Sequence, residues 1–230
     1  MSKENVLFVI IGLLGGLIIG FVFANSVNQR AVPMAGQAAP AGAMPAGHPE
    51  IPGQSASGTQ PEIQAAIDQA KKEPNDFDAQ LKAAEFYYQI QRFEGAAEFL
   101  KRANELKPED RDVIVNLGNA YFDSGKYEDA EKWYTAALAK KIDDINVRTD
   151  LGLTFIFREK PNYDRAIQEF QRSLELDPNH PQSLQNLTVA YTKKGDVANA
   201  NQTLAKLEAF DPSNESLPKL REDIKKIGAQ

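Results

Sequence analysis

The chain has no cysteine among its 230 residues. Disulfides, zinc–thiolate sites, thiol nucleophiles, Cys-x-x-Cys-His haem attachment and a lipidated N-terminal cysteine are therefore excluded. Histidine is almost as scarce, with His48 and His180 the only two. Neither has a second ligand at metal spacing or a nucleophile beside it. Met34, Met44 and His48 share one stretch without the regular spacing of a copper site. No glycine-rich phosphate loop occurs. Excess positive charge is also missing: the net charge is −6 and the pI about 5.1. Nucleic acid is thus a poor partner, because phosphate binding needs a basic stripe. Carboxylates are plentiful, but no pair stands in a context that suggests a buried acid. The sequence predicts no enzyme, no cofactor and no metal.

A pattern with a period of 34 residues is present instead. A small residue precedes an aromatic by three places at Ala84/Tyr87, Gly118/Tyr121, Gly152/Phe155 and Thr188/Tyr191. An alanine follows nine places after the aromatic, at Ala96, Ala130 and Ala200, or eleven at Ala166. Four places further stands a bulky residue: Leu100, Tyr134, Phe170 or Leu204. Each copy closes near Pro108, Pro178 or Pro212, with Ile142 taking that place in the second. These spacings predict two short helices per copy, with small residues where helices approach and bulky ones beside them. Gly125-Lys126 and Gly195-Asp196 supply turns, and the prolines end the second helices. A period of this length predicts stacked repeats.

The stretch Asn116-Leu-Gly-Asn-Ala-Tyr121, followed by Gly125-Lys-Tyr-Glu-Asp-Ala130, Tyr134 and Ala137, resembles the tetratricopeptide repeat (TPR) family. So does Tyr163-Asp-Arg-Ala-Ile-Gln-Glu-Phe170 through Leu176-Asp-Pro178. The resemblance covers residues 76–212, about four repeats. It departs from the pattern at Ala83-Ala84, at Gln80 where a large apolar residue is expected, and in two extra residues around Arg158–Asn162. The latter predict a longer turn. The fold implied is an all-α solenoid.

The resemblance implies a concave groove built from the first helix of each repeat. Its residues would be Leu81, Glu85 and Tyr88; Val115, Asn116, Asn119 and Phe122; Asp150, Leu153 and Ile156; and Gln185, Asn186 and Val189. Asp78, Lys82, Asp112, Asn146, Thr149, Gln182 and Thr192 extend the same face. Amides suit a peptide backbone because they donate and accept at once. Some family members clamp a terminal carboxylate with Lys, Arg and Asn. Here Asn116 and Asn119 fit, but Asn146 and Asp150 stand where bases are needed, so the clamp is incomplete.

Val6–Ala24 is a run of 19 uncharged, mostly apolar residues. As a helix it spans about 28 Å, close to the hydrocarbon core of a bilayer. Residues 1–24 therefore read as a transmembrane anchor, with a signal peptide cleaved after Val22-Phe23-Ala24 as the rival. Lys3 before the run, and only Arg30 soon after it, favour a cytoplasmic N-terminus and extracytoplasmic repeats, at the inner membrane of a bacterium. Gly12, Gly16 and Gly20 form a small-residue stripe that could pair two membrane helices into a homodimer.

Residues 25–60 read as a flexible tether, since residues 31–60 contain eight Ala, five Gly and five Pro. Residues 61–75, with Ile63, Ala66, Ile67 and Ala70 on one side, read as an N-terminal cap. Residues 213–230, with Leu217, Leu220, Ile224 and Ile227, read as a C-terminal capping helix. The expectation is a membrane-tethered scaffold that binds an unidentified protein or peptide. Its layout is similar to anchored TPR proteins of envelope assembly, including c-type cytochrome maturation. A structural homo-oligomer and a regulatory subunit of a membrane enzyme are the alternatives.

Overall fold

The computed structural model describes residues 60–229, and the Val6–Ala24 run, the glycine stripe and the tether up to residue 59 lie outside the described residues. The described chain is helical throughout. α1 is Gln60–Lys72, one residue into the expected tether. Four helix pairs follow: α2 (Phe77–Gln89) with α3 (Phe93–Leu106), α4 (Arg111–Asp123) with α5 (Tyr127–Lys140), α6 (Ile145–Phe157) with α7 (Tyr163–Leu176), and α8 (Pro181–Lys194) with α9 (Val197–Phe210). α10 (Leu217–Gly228) ends the array. Each helix packs on the next, and α6 also packs directly on α8. That ordering is a solenoid whose first helices form one layer and second helices the other.

The two middle pairs are each held by a ring laid across a helix backbone. A Cβ added at Gly118 would stand 2.5 Å from Tyr134 Cε1, and one at Gly152 would stand 2.4 Å from Phe170 Cε1. Only glycine lets α4 approach α5, and α6 approach α7, this closely. Ala96, Ala130, Ala166 and Ala200 are all fully buried, as the period required.

Helix starts repeat as strictly as the packing. Asp76, Asp110 and Asp144 cap α2, α4 and α6, each accepting from a backbone N–H in the first turn at 3.0–3.2 Å. The fourth copy uses His180, whose Nδ1 accepts from Ser183 N at 3.3 Å. Between the helices of a pair, Gly125 and Gly195 take φ of +77° and +85°. Gln91 fills that place in the first copy at φ 57°, a conformation that disfavours a side chain by about 1–2 kcal/mol.

The departures from the repeat pattern have physical reasons. Gln80 is buried, and its Nε2 donates to Ala70 O at 2.7 Å and to Glu73 O at 3.3 Å. It closes carbonyls at the end of α1, which an apolar side chain could not do. The turn at residues 158–162 is longer, as expected, but it is tied down. Arg158 donates to Glu131 Oε2 at 2.7 Å and lies 4.4 Å from the centre of the Phe155 ring. Ile142, in the place where the other copies carry proline, accepts through its carbonyl from Arg148 Nη2 at 2.7 Å.

α1 packs its Ala66, Ile67 and Ala70 inward against the first pair. At the other end, Leu217, Leu220 and Ile224 join Leu184, Ala200, Leu204 and Leu207 in one cluster. Ile227, also expected on that stripe, is half-buried. Among the described residues no helix is long and apolar enough to cross a membrane.

The ring-over-glycine contact gives a direct test. Gly118→Leu should lower the melting temperature sharply, because the Tyr134 ring occupies the space and overpacking costs about 1–3 kcal/mol or more. Lys132→Gln, at an exposed position, should change it by no more than a degree or two. Thermal melts followed by circular dichroism distinguish the two, and equal shifts would show that Gly118 is not at a tight contact.

Candidate binding groove

The residues expected on the groove all lie on α2, α4, α6 and α8, the first helices of their pairs. Lys82, Asn116, Asp150 and Asn186 occupy one repeat position, and Glu85, Asn119, Leu153 and Val189 the next turn along. Tyr88, Phe122, Ile156 and Thr192 complete the face. Leu81, Glu85, Tyr88, Val115, Asn116, Asp150 and Val189 are half-buried, while Asn119, Phe122, Leu153, Ile156, Gln185 and Asn186 are buried.

One polar link joins each successive pair of these helices. Tyr88 Oη donates to Asp123 Oδ2 between α2 and α4. Arg111 pairs with Asp144 between α4 and the start of α6. Thr149 Oγ1 and Ser183 Oγ lie 2.9 Å apart between α6 and α8. The links fix how far one inner helix advances on the last, and so fix the spacing of the groove side chains.

The amides divide into two kinds. Asn119 turns inward, its Oδ1 accepting from Tyr134 Oη at 2.9 Å. That oxygen is committed to the repeat core, so Asn119 has at most its amide N–H groups left for a ligand. Gln182 and Asn186 are the opposite case. They are 2% and 3% exposed, yet Gln182 Nε2 and Oε1 and Asn186 Nδ2 have no hydrogen-bond partner. A buried amide left open costs about 1–3 kcal/mol. Both amides stand on α8, four residues apart and so on one face of it.

The acids correct the sequence expectation that none is buried. Glu169 is buried, but Arg148 Nη1 meets it at 2.9 Å and Arg172 Nη1 at 3.0 Å. Asp123 and Asp150 have no such cation. Burial alone raises Asp123 to about 7. Burial, then the charges of Asp123 and Asp144, raise Asp150 to about 7. Tyr134 is pushed well up by its burial, and then by the charges of Asp150 and Asp123. Asp123 was missed in the sequence because it ends α4, one residue past the expected face. Its signal was the neighbouring Phe122.

Aromatic rings gather at this end of α4. Phe122 lies 5.3 Å from Tyr127 and 5.9 Å from Phe157, centre to centre, and Tyr127 lies 6.0 Å from Phe157. Burial and then the Asp123 charge raise the Tyr127 hydroxyl, so the carboxylate stands within reach of this cluster. A separate shallow cleft, lined by Tyr87, Gln91, Arg92, Phe93, Glu94, Gly95, Glu98 and Ser124, lies at the turns of the first two pairs. Among the described residues, no three His, Asp or Glu side chains converge as metal ligands would.

These carboxyls make stability depend on pH in a defined direction. Their folded pKa near 7 exceeds the ordinary 3.8, so the folded chain keeps protons that the unfolded chain releases. Folding stability therefore falls as pH rises from about 4 towards 7 and levels off above. His180 acts oppositely. Burial lowers its pKa, so its contribution is lost as pH falls through that range. Asp150→Asn removes Asp150's share of the first effect and leaves those of Asp123 and His180. It should stabilise the chain at pH 8 by on the order of 2 kcal/mol and hardly at pH 4. Urea unfolding at both pH values, compared with wild type, checks this; equal curves at pH 8 would refute the strained carboxyl.

The sequence pattern of the tetratricopeptide repeat family matches residues 60–111, 91–149 and 158–224. A curated relative, cellulose synthase operon protein C of Pseudomonas fluorescens (strain SBW25), is 28% identical over 90 residues. Those residues are 39% of this chain and only 7% of that protein, so the match concerns a small part of its length. Among solved structures, MamA 41-end from Desulfovibrio magneticus RS-1 is similar with a TM-score of 0.60 at 19% identity. The match covers 68% of this chain and 88% of MamA. YrrB, described as a TPR protein with an unusual peptide-binding site, is similar with a TM-score of 0.52 at 17% identity, over 73% of this chain and 94% of YrrB. At these identities the structural likeness concerns the fold alone. With the helix pairs, the ring-over-glycine contacts and the matched residues together, the chain belongs to the tetratricopeptide repeat family.

Proposed function

We propose that the chain is a non-enzymatic adaptor that takes an extended peptide segment of a partner protein along α4, α6 and α8. The observation that carries this reading is the pair of buried, unsatisfied amides at Gln182 and Asn186 on an inner helix. A peptide backbone offers alternating N–H and C=O groups and can satisfy both. Apolar side chains along the same face, Val115, Leu153, Ile156 and Val189, supply contacts for alternate peptide side chains. The solved YrrB structure, described as having a peptide-binding site, supports the same use of this fold.

The adaptor reading extends to the N-terminus. Val6–Ala24 serves as a single-pass anchor, residues 25–59 as a tether, and the repeats face the extracytoplasmic side of a bacterial inner membrane. A coil of 35 residues has a root-mean-square reach of roughly 30–36 Å, so the groove can sample partners near the bilayer. Assembly of envelope proteins, c-type cytochromes included, is a setting that suits such a tethered receptor.

Two experiments test these statements separately. Asn116→Ala with Asn186→Ala should weaken a bound peptide about tenfold, since each lost hydrogen bond is worth about 0.5–1.5 kcal/mol. Titration calorimetry of the wild-type and doubly substituted chains reads this, and unchanged affinity with an intact helical spectrum rejects the groove. For topology, protease added to spheroplasts with a sealed cytoplasm should cut the tether. A protected tether would put the repeats in the cytoplasm.

A further inference from the structure

We propose that His180 makes the start of α8 an acid-sensitive switch: the neutral imidazole caps the helix and the protonated one cannot, so acid opens the first turn of α8 while the other three inner helices stay capped. What this does to a bound peptide rests on the groove reading above; the switch itself does not.

Three inner helices start on a carboxylate, with Asp76, Asp110 and Asp144 accepting from first-turn N–H groups of α2, α4 and α6. A carboxyl keeps a carbonyl oxygen that accepts even when it is protonated. α8 starts on His180 instead, which is 6% exposed. Ser183 N–H can only donate, so Nδ1, 3.3 Å away, is the acceptor, and the neutral ring carries its hydrogen on Nε2. The same Nδ1 lies 2.8 Å from Ser183 Oγ. Ser183 Oγ lies 2.9 Å from Thr149 Oγ1 on α6, and Thr149 Oγ1 donates to Ile145 O at 2.8 Å. One ring nitrogen thus ends a hydrogen-bonded chain that runs from the α8 cap into α6.

An imidazolium has two N–H donors and no acceptor. Its Nδ1–H still reaches Ser183 Oγ, whose own hydrogen then turns to Thr149 Oγ1, and Thr149 goes on donating to Ile145 O. The link between α6 and α8 survives with donor and acceptor exchanged. The cap does not survive, because Ser183 N–H now faces a donor. Ser183 is 0% exposed, so solvent does not reach the orphaned group while the turn is closed. Leu184 N keeps its bond to His180 O at 3.0 Å, which confines the loss to the first turn of α8. Gln182 lies in that turn, so one of the two open groove amides moves with it.

The charges around the ring leave the switch intact. Burial disfavours the imidazolium, and Asp177, in the turn before the ring, favours it. Burial prevails, so the capped state holds above the usual histidine range and is lost as pH falls below it. Beside the hydroxyl chain, Arg148 on α6 and Glu169 on α7 pair at 2.9 Å, and Arg172 adds a second contact to Glu169 at 3.0 Å. Among the described residues, α9 and α10 bring no charge that acts on the ring. Asp123 and Asp150 shift global stability in the opposite sense over this range, so the readout has to be local.

Amide hydrogen exchange, read by mass spectrometry on the full-length chain without ligand, tests this at about pH 7.5 and about pH 5.5, with rates corrected for the chemical effect of pH. In the wild type, fragments covering residues 180–187 should exchange about fivefold faster at the lower pH, the equivalent of one lost cap. The starts of α2, α4 and α6 should not change. His180→Asn, whose amide oxygen accepts at either pH, should abolish the response, and His180→Asp, the residue of the other three pairs, should do the same. His180→Ala should exchange fast at both. An α8 start that ignores pH in the wild type, or that responds equally in His180→Asn and His180→Asp, would overturn the switch. Since no peptide is present, an Asn116→Ala/Asn186→Ala chain with unchanged peptide affinity would remove the groove reading and leave the switch standing.

Discussion

The structure depends on one contact used repeatedly: an aromatic ring resting on backbone that carries no side chain. Tyr134 over Gly118 and Phe170 over Gly152 bring the two helices of a pair to a distance set by ring thickness. Dispersion across such a contact is collectively large and tolerates no void or surplus. It fixes the pair as a rigid unit. Stacking then needs only modest additional links, which is why single polar contacts such as Thr149 with Ser183 are enough to set the advance from one inner helix to the next.

Rigidity of this kind explains how open amides and unpaired carboxyls persist. A flexible surface would rotate Gln182 and Asn186 towards water or towards each other. Here α8 is held by α7, α9, α6 and α10, so its inward side chains have little freedom to find partners. The cost is local and is carried by the repeat cores on either side. The contrast between Glu169 and Asp150 sharpens the point. Both sit on packed helices, yet only the former has an arginine one turn away and another across the interface. The chain can build a compensated acid and does not do so in the groove.

Much of the fold was legible because repeat packing is arithmetic. Small and bulky residues recur in phase, and Gly118, Ala130 and Tyr134 fall where their spacing put them. The caps Asp76, Asp110 and Asp144 were just as periodic and are as plain in the sequence once the helix starts are known. His180 broke that series in letter but kept it in function, because an imidazole nitrogen accepts as a carboxylate oxygen does. Gln80 was legible only as an exception. Its partners lie ten and seven residues back, at the end of a helix outside the repeat period. The groove was harder for a different reason. Helical spacing puts a residue on a face, but not into or out of a network. Nothing in the sequence distinguishes Asn119, spent on Tyr134, from Asn186, left open. Nor does it separate Asp123 from the many carboxylates that face solvent.

The unpaired groups on the inner helices share one property: packing has taken each of them away from water without supplying a full partner. Amides on α8 lack hydrogen-bond partners, and the carboxyls on α4 and α6 lack a cation beside them and are raised by burial. The aromatic cluster at the end of α4 satisfies itself by mutual ring contacts. Taken singly, each is an ordinary feature of a repeat protein. They occur on three consecutive inner helices, whose spacing the polar links hold constant. A scaffold of generic architecture thus keeps its individuality in the few positions that the packing rule leaves free.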